Sequence, residues 1–454
     1  MRAFARQMTE RMKAVAAAGA VAAFWLAAWM LVAALVAQPL ILPGPGAVVA
    51  ALLRLVCAVG TWAILAGSGA RILGGLALAA VCGGVLAGAS VRSRTFARLV
   101  APALSFVKAT PVACVVVLLL IWLGSARVSI AAVFLMALPG VYFSLVEGLA
   151  QVDKPLEQMF RLHGVRGWRL FCAHTWREVL PFVLSCAKAV IGMSWKAGVA
   201  AELIGMATGT VGERIYQAKL LIETADLLAW TVLVVAASWA CERVLVWLLR
   251  VSGPVAWGAA VRAHGRAGGS AGGGAAAELA LAVGDRAPWA PALAGLVLNV
   301  PASGRICVMG ASGAGKSTLL ALAAGECAPC SMVFQDVRLV EDASALDNVL
   351  VCADACVDAP SAAALLRLLV PGVDVHARVA ELSGGQRRRV EIARALLCPG
   401  DAVILDEPFT GLDTAARDVC AEVVLDLLDG RMLLLATHDT ADARVLNISD
   451  IITL

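Results

Sequence analysis

Residues 310–318 read Gly310-Ala311-Ser312-Gly313-Ala314-Gly315-Lys316-Ser317-Thr318. Through Gly310, Gly315, Lys316 and Ser317 the stretch fits G-x-x-x-x-G-K-[ST] without a mismatch. The apolar run Ile306 to Met309 before it predicts a buried strand, and the residues from Ser317 onward predict a helix. In that setting glycines let backbone N–H groups turn onto a phosphate at a helix N-terminus, where unpaired donors and the dipole favour an anion. Gly310, Ser312, Gly313, Gly315 and Thr318 are therefore expected to cradle the phosphates of ATP. Lys316 is expected to reach the β- and γ-phosphates, and Ser317 to ligate Mg2+.

The loop sits in a chain of unusual composition. Of 454 residues, 61% are hydrophobic and only 15% charged, which excludes an ordinary soluble protein and points to membrane spans. Arg2, Arg6, Arg11 and Lys13 face Glu10 alone at the start, so the net charge of +4 reads as membrane topology, not as affinity for nucleic acid. Of the thirteen cysteines, most sit singly in apolar runs, as Cys82, Cys114, Cys186 and Cys241 do, and read as small buried hydrophobes. Cys327 and Cys330 have the spacing of a redox or metal pair, but no second pair and no histidine at ligand spacing accompany them.

Six apolar stretches are expected to cross the membrane: 14–37, 72–90, 109–123 with an extension back through 101–106, 128–146, 179–201 and 227–247. The basic start places the N-terminus in the cytoplasm, and six crossings return the chain there. Residues 39–69 are expected to lie outside the membrane. Between spans four and five the charged loop 151–180 predicts two short helices meeting at Gly164. Residues 252–277, centred on a Gly/Ala-rich run, predict a flexible linker. Beyond it, Ile306–Met309, Ser331–Phe334, Ala402–Leu405 and Met432–Ala436 read as strands of a largely parallel sheet.

The fold class that follows is multidomain. An all-α six-span membrane domain (1–251) precedes the linker and a shortened α/β phosphate-loop domain with a helical subdomain (278–454). In the latter, Asp406 and Glu407 end a buried strand, where Asp406 can hold Mg2+ and Glu407 can orient or deprotonate an attacking water. His438 is placed to contact the γ-phosphate, and Gln335 to sense metal and water.

With Leu382-Ser383-Gly384-Gly385-Gln386 added, the sequence resembles an ATP-binding-cassette ATPase. The phosphate loop, Gln335, this signature, Asp406-Glu407, Gly411-Leu412-Asp413 and His438 stand in the family's order. The resemblance implies that Ser383, Gly384, Gly385 and Gln386 of one chain close on ATP held by the loop of a second copy. The arginines that follow, Arg387, Arg388, Arg389 and Arg394, read as a solvated helix face. The membrane half resembles the permease of bacterial importers of the nitrate, sulfonate and taurine type, with Gly164 in the coupling loop and the segment 200–204 with Gly209 and Gly212 as the matching motifs. Two features depart from that pattern: Gln158-Met159-Phe160 and Arg177 replace the usual residues of the coupling motif. Lys316 and Gln335 are also only about twenty residues apart, roughly half the family's spacing, and Trp289 is the candidate for stacking on adenine.

The resemblance implies a multi-pass protein of the inner (cytoplasmic) membrane, surrounded by lipid, with its ATPase domain in the cytoplasm. It implies ATP-driven import of a small solute by a homodimer that receives its substrate from an extracytoplasmic binding protein. An exporter, or a non-transporting membrane ATPase acting as a sensor, are the alternative readings. Lys188, Lys196 and Glu202 in span five are candidates for lining a polar path.

Overall fold

The computed structural model describes residues 2–263, 279–282, 297–301, 303–311, 313–327 and 329–454. They form two compact units: Met1–Ala150 with Leu180–Arg250, and Gln151–Val179 with Val251–Leu454.

The first unit is helical. Among the described residues of the chain, five helices are long and apolar enough to cross a membrane, and a sixth crossing is available if the pair Arg94–Ala109 and Val112–Leu123 acts as one. That pair corrects the third expected span, because it bends by 103° at the break. Pro111 is the cause. A proline disfavours helical backbone in the residue before it, and Thr110 is accordingly extended (ψ 130°). The second expected span also starts earlier than its charge pattern predicts, since one helix runs from Val59 to Arg92 and takes in residues assigned to an outside segment.

Close packing in this unit uses glycine. A Cβ on Gly75 would stand 2.5 Å from the Ile130 carbonyl oxygen, and one on Gly198 2.5 Å from Ile72. Without a hydrophobic driving force between helices in lipid, such backbone approach supplies the dispersion contact that holds them. Glu202 is fully buried and serves the same packing. It accepts from Ser68 Oγ (2.8 Å), Arg71 Nε (3.2 Å) and the Gly212 amide (3.4 Å), while Ser68 Oγ accepts from the Val211 amide. Lys188 and Lys196, by contrast, are exposed, so the three charges share no common polar surface.

The second unit is built on a parallel sheet. An antiparallel pair, β1 (Leu279–Ala282) and β2 (Val297–Val300), precedes β3 (Arg305–Met309), β4 (Ser331–Val333), β5 (Ala402–Asp406), β6 (Met432–Thr437) and β7 (Asp450–Thr453). The five-stranded sheet has the order β4-β5-β6-β3-β7, all neighbours parallel. β4, β5 and β6 are buried along their whole length, as a sheet covered on both faces requires, and this is why they read as unbroken apolar runs. A small helical group, Ala345–Leu350 and Ala359–Leu369, packs with the helix Gly384–Leu397.

The loop 151–179 belongs to this unit. Its helix Lys154–Leu162 ends at Gly164, whose φ of +77° favours glycine, and a second short helix follows at Gly167–Leu170. Met159 and Phe160, the residues that depart from the coupling pattern, are fully buried in one core with Leu319, Ala323, Met332 and Phe334. The Cys330 amide donates to the Leu162 carbonyl at 3.0 Å, so the shortened stretch after the phosphate-loop helix carries the loop directly. The expected linker is corrected at its start: the helix Thr224–Arg262 continues through it, and the rest lies outside the described residues.

Gly212 faces the sharpest constraint, because a Cβ there would stand 2.5 Å from the Glu202 carbonyl carbon, a backbone atom that cannot rotate away. Gly212→Ala is expected to destabilise the membrane unit by about 1–3 kcal/mol, the usual penalty of overpacking. Thermal unfolding in detergent measures it, and an unchanged midpoint would contradict this packing.

Candidate functional site

β3 leads into the phosphate loop, and the helix Lys316–Glu326 leaves it. Gly313 (φ +85°) and Gly315 (φ +97°) hold the left-handed backbone that the loop needs. Lys316 is buried, and its Nζ donates to the carbonyls of Gly310 (2.7 Å) and Ala311 (3.0 Å), which keeps the ammonium inside the loop's curve. Ser312 and Trp289 lie outside the described residues.

Two carboxylates arrive from β5. Asp406 is buried, and burial pushes its carboxyl above the usual range, against the opposing effect of a hydrogen bond from Ser317. Ser317 acts on the Asp406 carboxyl, and the two are the hard oxygen donors expected to hold Mg2+, a donor set that suits this ion. Glu407 has a φ of +47°, a conformation uncommon outside glycine, fixed by its amide donating to the Ala436 carbonyl at 2.9 Å. Its Oε1 lies 3.3 Å from His438 Nδ1, and its Oε2 accepts from Thr410 at 3.4 Å. The pairing of β5 with β6 thus brings Glu407 and His438 together from distant positions in the chain.

Ser383 caps the helix Gly384–Leu397. It forms a capping box in which Ser383 Oγ accepts from the Gln386 amide (3.3 Å) and Gln386 Oε1 accepts from the Ser383 amide (2.8 Å). Gly385 passes close to the Gly411 carbonyl, where a Cβ would stand 3.2 Å away. Asp413 in turn caps the helix Thr414–Leu427. Among the described residues no hydrogen bond joins Ser383–Gln386 to the phosphate loop of the same chain.

The arginines after the signature are not one solvated face. Arg387 and Arg389 are part-exposed, but Arg388 and Arg394 are buried, and both pair with the buried Glu391. Arg388 also donates to the backbone carbonyls of Phe334, Gln335 (2.8 Å) and Glu407 (3.1 Å). Sequence reasoning missed this role. The signal available was Glu391, three residues from each arginine and so on the same helical face.

The profile described as "Binding-protein-dependent transport system inner membrane component" matches residues 80–255, and that described as "ABC transporter" matches residues 328–410. An aliphatic sulfonates import ATP-binding protein, SsuB 1 of Paracoccus denitrificans, is 33% identical over 37% of this chain and 74% of its own length. The taurine import ATP-binding protein TauB of Pseudomonas aeruginosa is 40% identical over 25% of this chain and 45% of its own. The macrolide export ATP-binding/permease protein MacB of Psychrobacter cryohalolentis is 38% identical over 26% of this chain and 19% of its own. Other curated relatives are matched over 22–28% of their length. The chain belongs to the ABC transporter family, and it joins a permease component of the binding-protein-dependent kind to an ABC ATPase.

Arg388→Ala would leave Glu391 half-paired and the carbonyls of Phe334, Gln335 and Glu407 without this donor. It is expected to cost about 3–5 kcal/mol, the range for breaking a buried ion pair. Denaturant unfolding followed in the ATPase unit measures this, and a loss below about 1 kcal/mol would contradict the bonding described.

Proposed function

We propose that this chain is an ATP-driven importer of a small solute, working as a homodimer in the cytoplasmic membrane. The observation that carries the reading is the union, in one polypeptide, of a binding-protein-dependent permease match with a complete phosphate loop and signature. If the bent pair crosses once, six crossings would leave the ATPase on the same side as the basic N-terminus.

The active assembly needs two copies, because Ser383, Gly384 and Gly385 of one must reach the γ-phosphate held by Lys316 of the other. Gly310, Gly313, Gly315 and Thr318 line the phosphate cradle, and Lys316 moves from the Gly310 and Ala311 carbonyls to the phosphates. Ser317 and Asp406, with Gln335, would hold Mg2+, which supplies charge neutralisation on the transferring phosphoryl group. Glu407 accepts the proton of the attacking water, and His438, 3.3 Å from it, orients that carboxylate and contacts the γ-phosphate. The loop 151–179, packed into the ATPase core through Met159 and Phe160, passes closure of the dimer to the membrane helices. An extracytoplasmic binding protein delivers the solute. The similarity to sulfonate and taurine import proteins favours a small organic anion.

An exporter is the second reading, favoured by the match to a macrolide export protein, and a sensor without turnover is the third. Reconstitution in liposomes with the binding protein separates them. Import predicts ATPase stimulation and solute uptake that both require the binding protein; export predicts no such dependence, and a sensor predicts no turnover.

Glu407→Gln is expected to lower ATP turnover by about 10²–10⁴-fold while ATP binding persists, as removal of a general base does. Equal turnover of variant and parent would refute the mechanism. Because burial raises the Asp406 carboxyl, protons compete with Mg2+ there at a higher pH than at an ordinary aspartate. Mg2+-dependent ATP affinity should therefore weaken on acidification before pH reaches about 4, and Asp406→Asn should remove that dependence. Titrating bound nucleotide against pH tests the sign.

A further inference from the structure

His163, Cys352 and Cys398 lie far apart in the chain and meet inside the ATPase unit. They are 1%, 2% and 3% exposed, and their donor atoms all lie within 4.8 Å of one another. Each stands at the end of a helix. His163 is the C-cap of Lys154–Leu162, Cys398 is the C-cap of the signature helix Gly384–Leu397, and Cys352 follows the C-cap of Ala345–Leu350. Helix C-termini present the negative end of the backbone dipole, so three such ends around one point favour a cation.

The histidine is held to the backbone through one ring nitrogen and leaves the other buried beside the two thiols. Its Nε2 faces the Met332 backbone, 3.2 Å from the carbonyl oxygen and 3.1 Å from the amide, and Nδ1 is buried without a hydrogen-bond partner. The Met332 amide donates to Nε2, and a metal at Nδ1 would move the ring proton to Nε2, where the Met332 carbonyl at 3.2 Å can accept it, the usual second-shell support of a metal-bound imidazole. Positive charge stands close by, because Arg431 donates to the Leu396 (3.1 Å) and Cys398 (3.5 Å) carbonyls at the end of the signature helix. Arg169 donates to the Val351 carbonyl beside Cys352.

We propose that His163, Cys352 and Cys398 form a three-coordinate site for a monovalent copper ion, tying the loop 151–179 to the C-terminal end of the signature helix. Two thiolates and one imidazole are soft donors that suit such an ion. A structural zinc site would call for a fourth ligand, and among the described residues the group contains three. With metal–sulfur bonds of about 2.3 Å, trigonal donors stand about 4 Å apart, so a sub-ångström contraction completes the shell. Binding releases the two thiol protons, and two thiolates with one monovalent cation leave a single negative charge. The Arg431 guanidinium beside Cys398 offsets it. Full burial means that copper enters only when the loop lifts from the ATPase.

The test uses the full chain, reduced in detergent and titrated with Cu(I) against bicinchoninate, with X-ray absorption on the loaded protein. The expected result is one tightly held copper per chain with two sulfur neighbours and one nitrogen. Cys352→Ser and Cys398→Ser should each weaken it at least about 100-fold, and His163→Gln should remove the nitrogen neighbour. Cys327→Ser with Cys330→Ser should change nothing. These are separate from transport, so failure of the importer reading leaves the result interpretable. Circular dichroism establishes that each variant is folded, and if a serine variant is not, the loss of nitrogen in His163→Gln decides alone. Undiminished copper in folded serine variants, displacement by equimolar Zn2+, or a Cys352–Cys398 disulfide in place of the metal would overturn the proposal.

Discussion

Much of the ATPase unit depends on where one guanidinium can put its charge. Arg388 is removed from water, and such a group is tolerable only if a carboxylate and several carbonyls replace its solvation. Glu391 supplies the first, and the carbonyls of Phe334, Gln335 and Glu407 supply the others. The signature helix is thereby bonded to the chain just beyond the ends of β4 and β5. Gln335 and Glu407 are held at their backbones by the same residue, so neither can shift without disturbing the other. The positive φ of Glu407 persists because this bond and that to Ala436 over-determine it.

The second organising contact is apolar. In the loop 151–179, Met159 and Phe160 are fully buried against the phosphate-loop helix and β4. The short connection from that helix to β4 makes this possible, because Leu162 and Gly164 meet residues 329–330 where a longer insertion would stand. The altered residues Met159 and Phe160 and the short stretch after the phosphate-loop helix are therefore one change seen at two places. Cys330 of the CxxC pair belongs to the same core: burial raises its thiol to about 12, and its Sγ donates to the Ala324 carbonyl, so it behaves as a small hydrophobe.

The phosphate loop, the ends of β5 and β6 and the signature were legible because their chemistry is local. A few adjacent residues on a strand end or helix start define each of them. The parallel sheet was legible because strands buried on both faces leave continuous apolar runs. What could not be read was longer in range. The bend at Pro111 looked like one apolar stretch, since hydropathy does not register backbone direction. The burial of Arg388 and Arg394 depended on a carboxylate whose exposure composition cannot show. Glu202 looked like a candidate for a transport path, yet its partners Ser68 and Arg71 arrive from a helix more than a hundred residues earlier. His163, Cys352 and Cys398 have no spacing at all that marks them as a group.

The covalent join between permease and ATPase bears on the altered coupling motif. When a docking surface and its receptor belong to one polypeptide, association is unimolecular, with an effective concentration that can reach the millimolar range. A separately encoded ATPase must find its permease at cellular abundance, and its interface must supply the whole of that affinity. Here the helix Thr224–Arg262 leads into the ATPase unit, so the loop 151–179 need supply only orientation. Selection on such a surface is relaxed for affinity and retained for shape. A chain under that regime can seat an apolar pair such as Met159 and Phe160 in this contact without losing its partner.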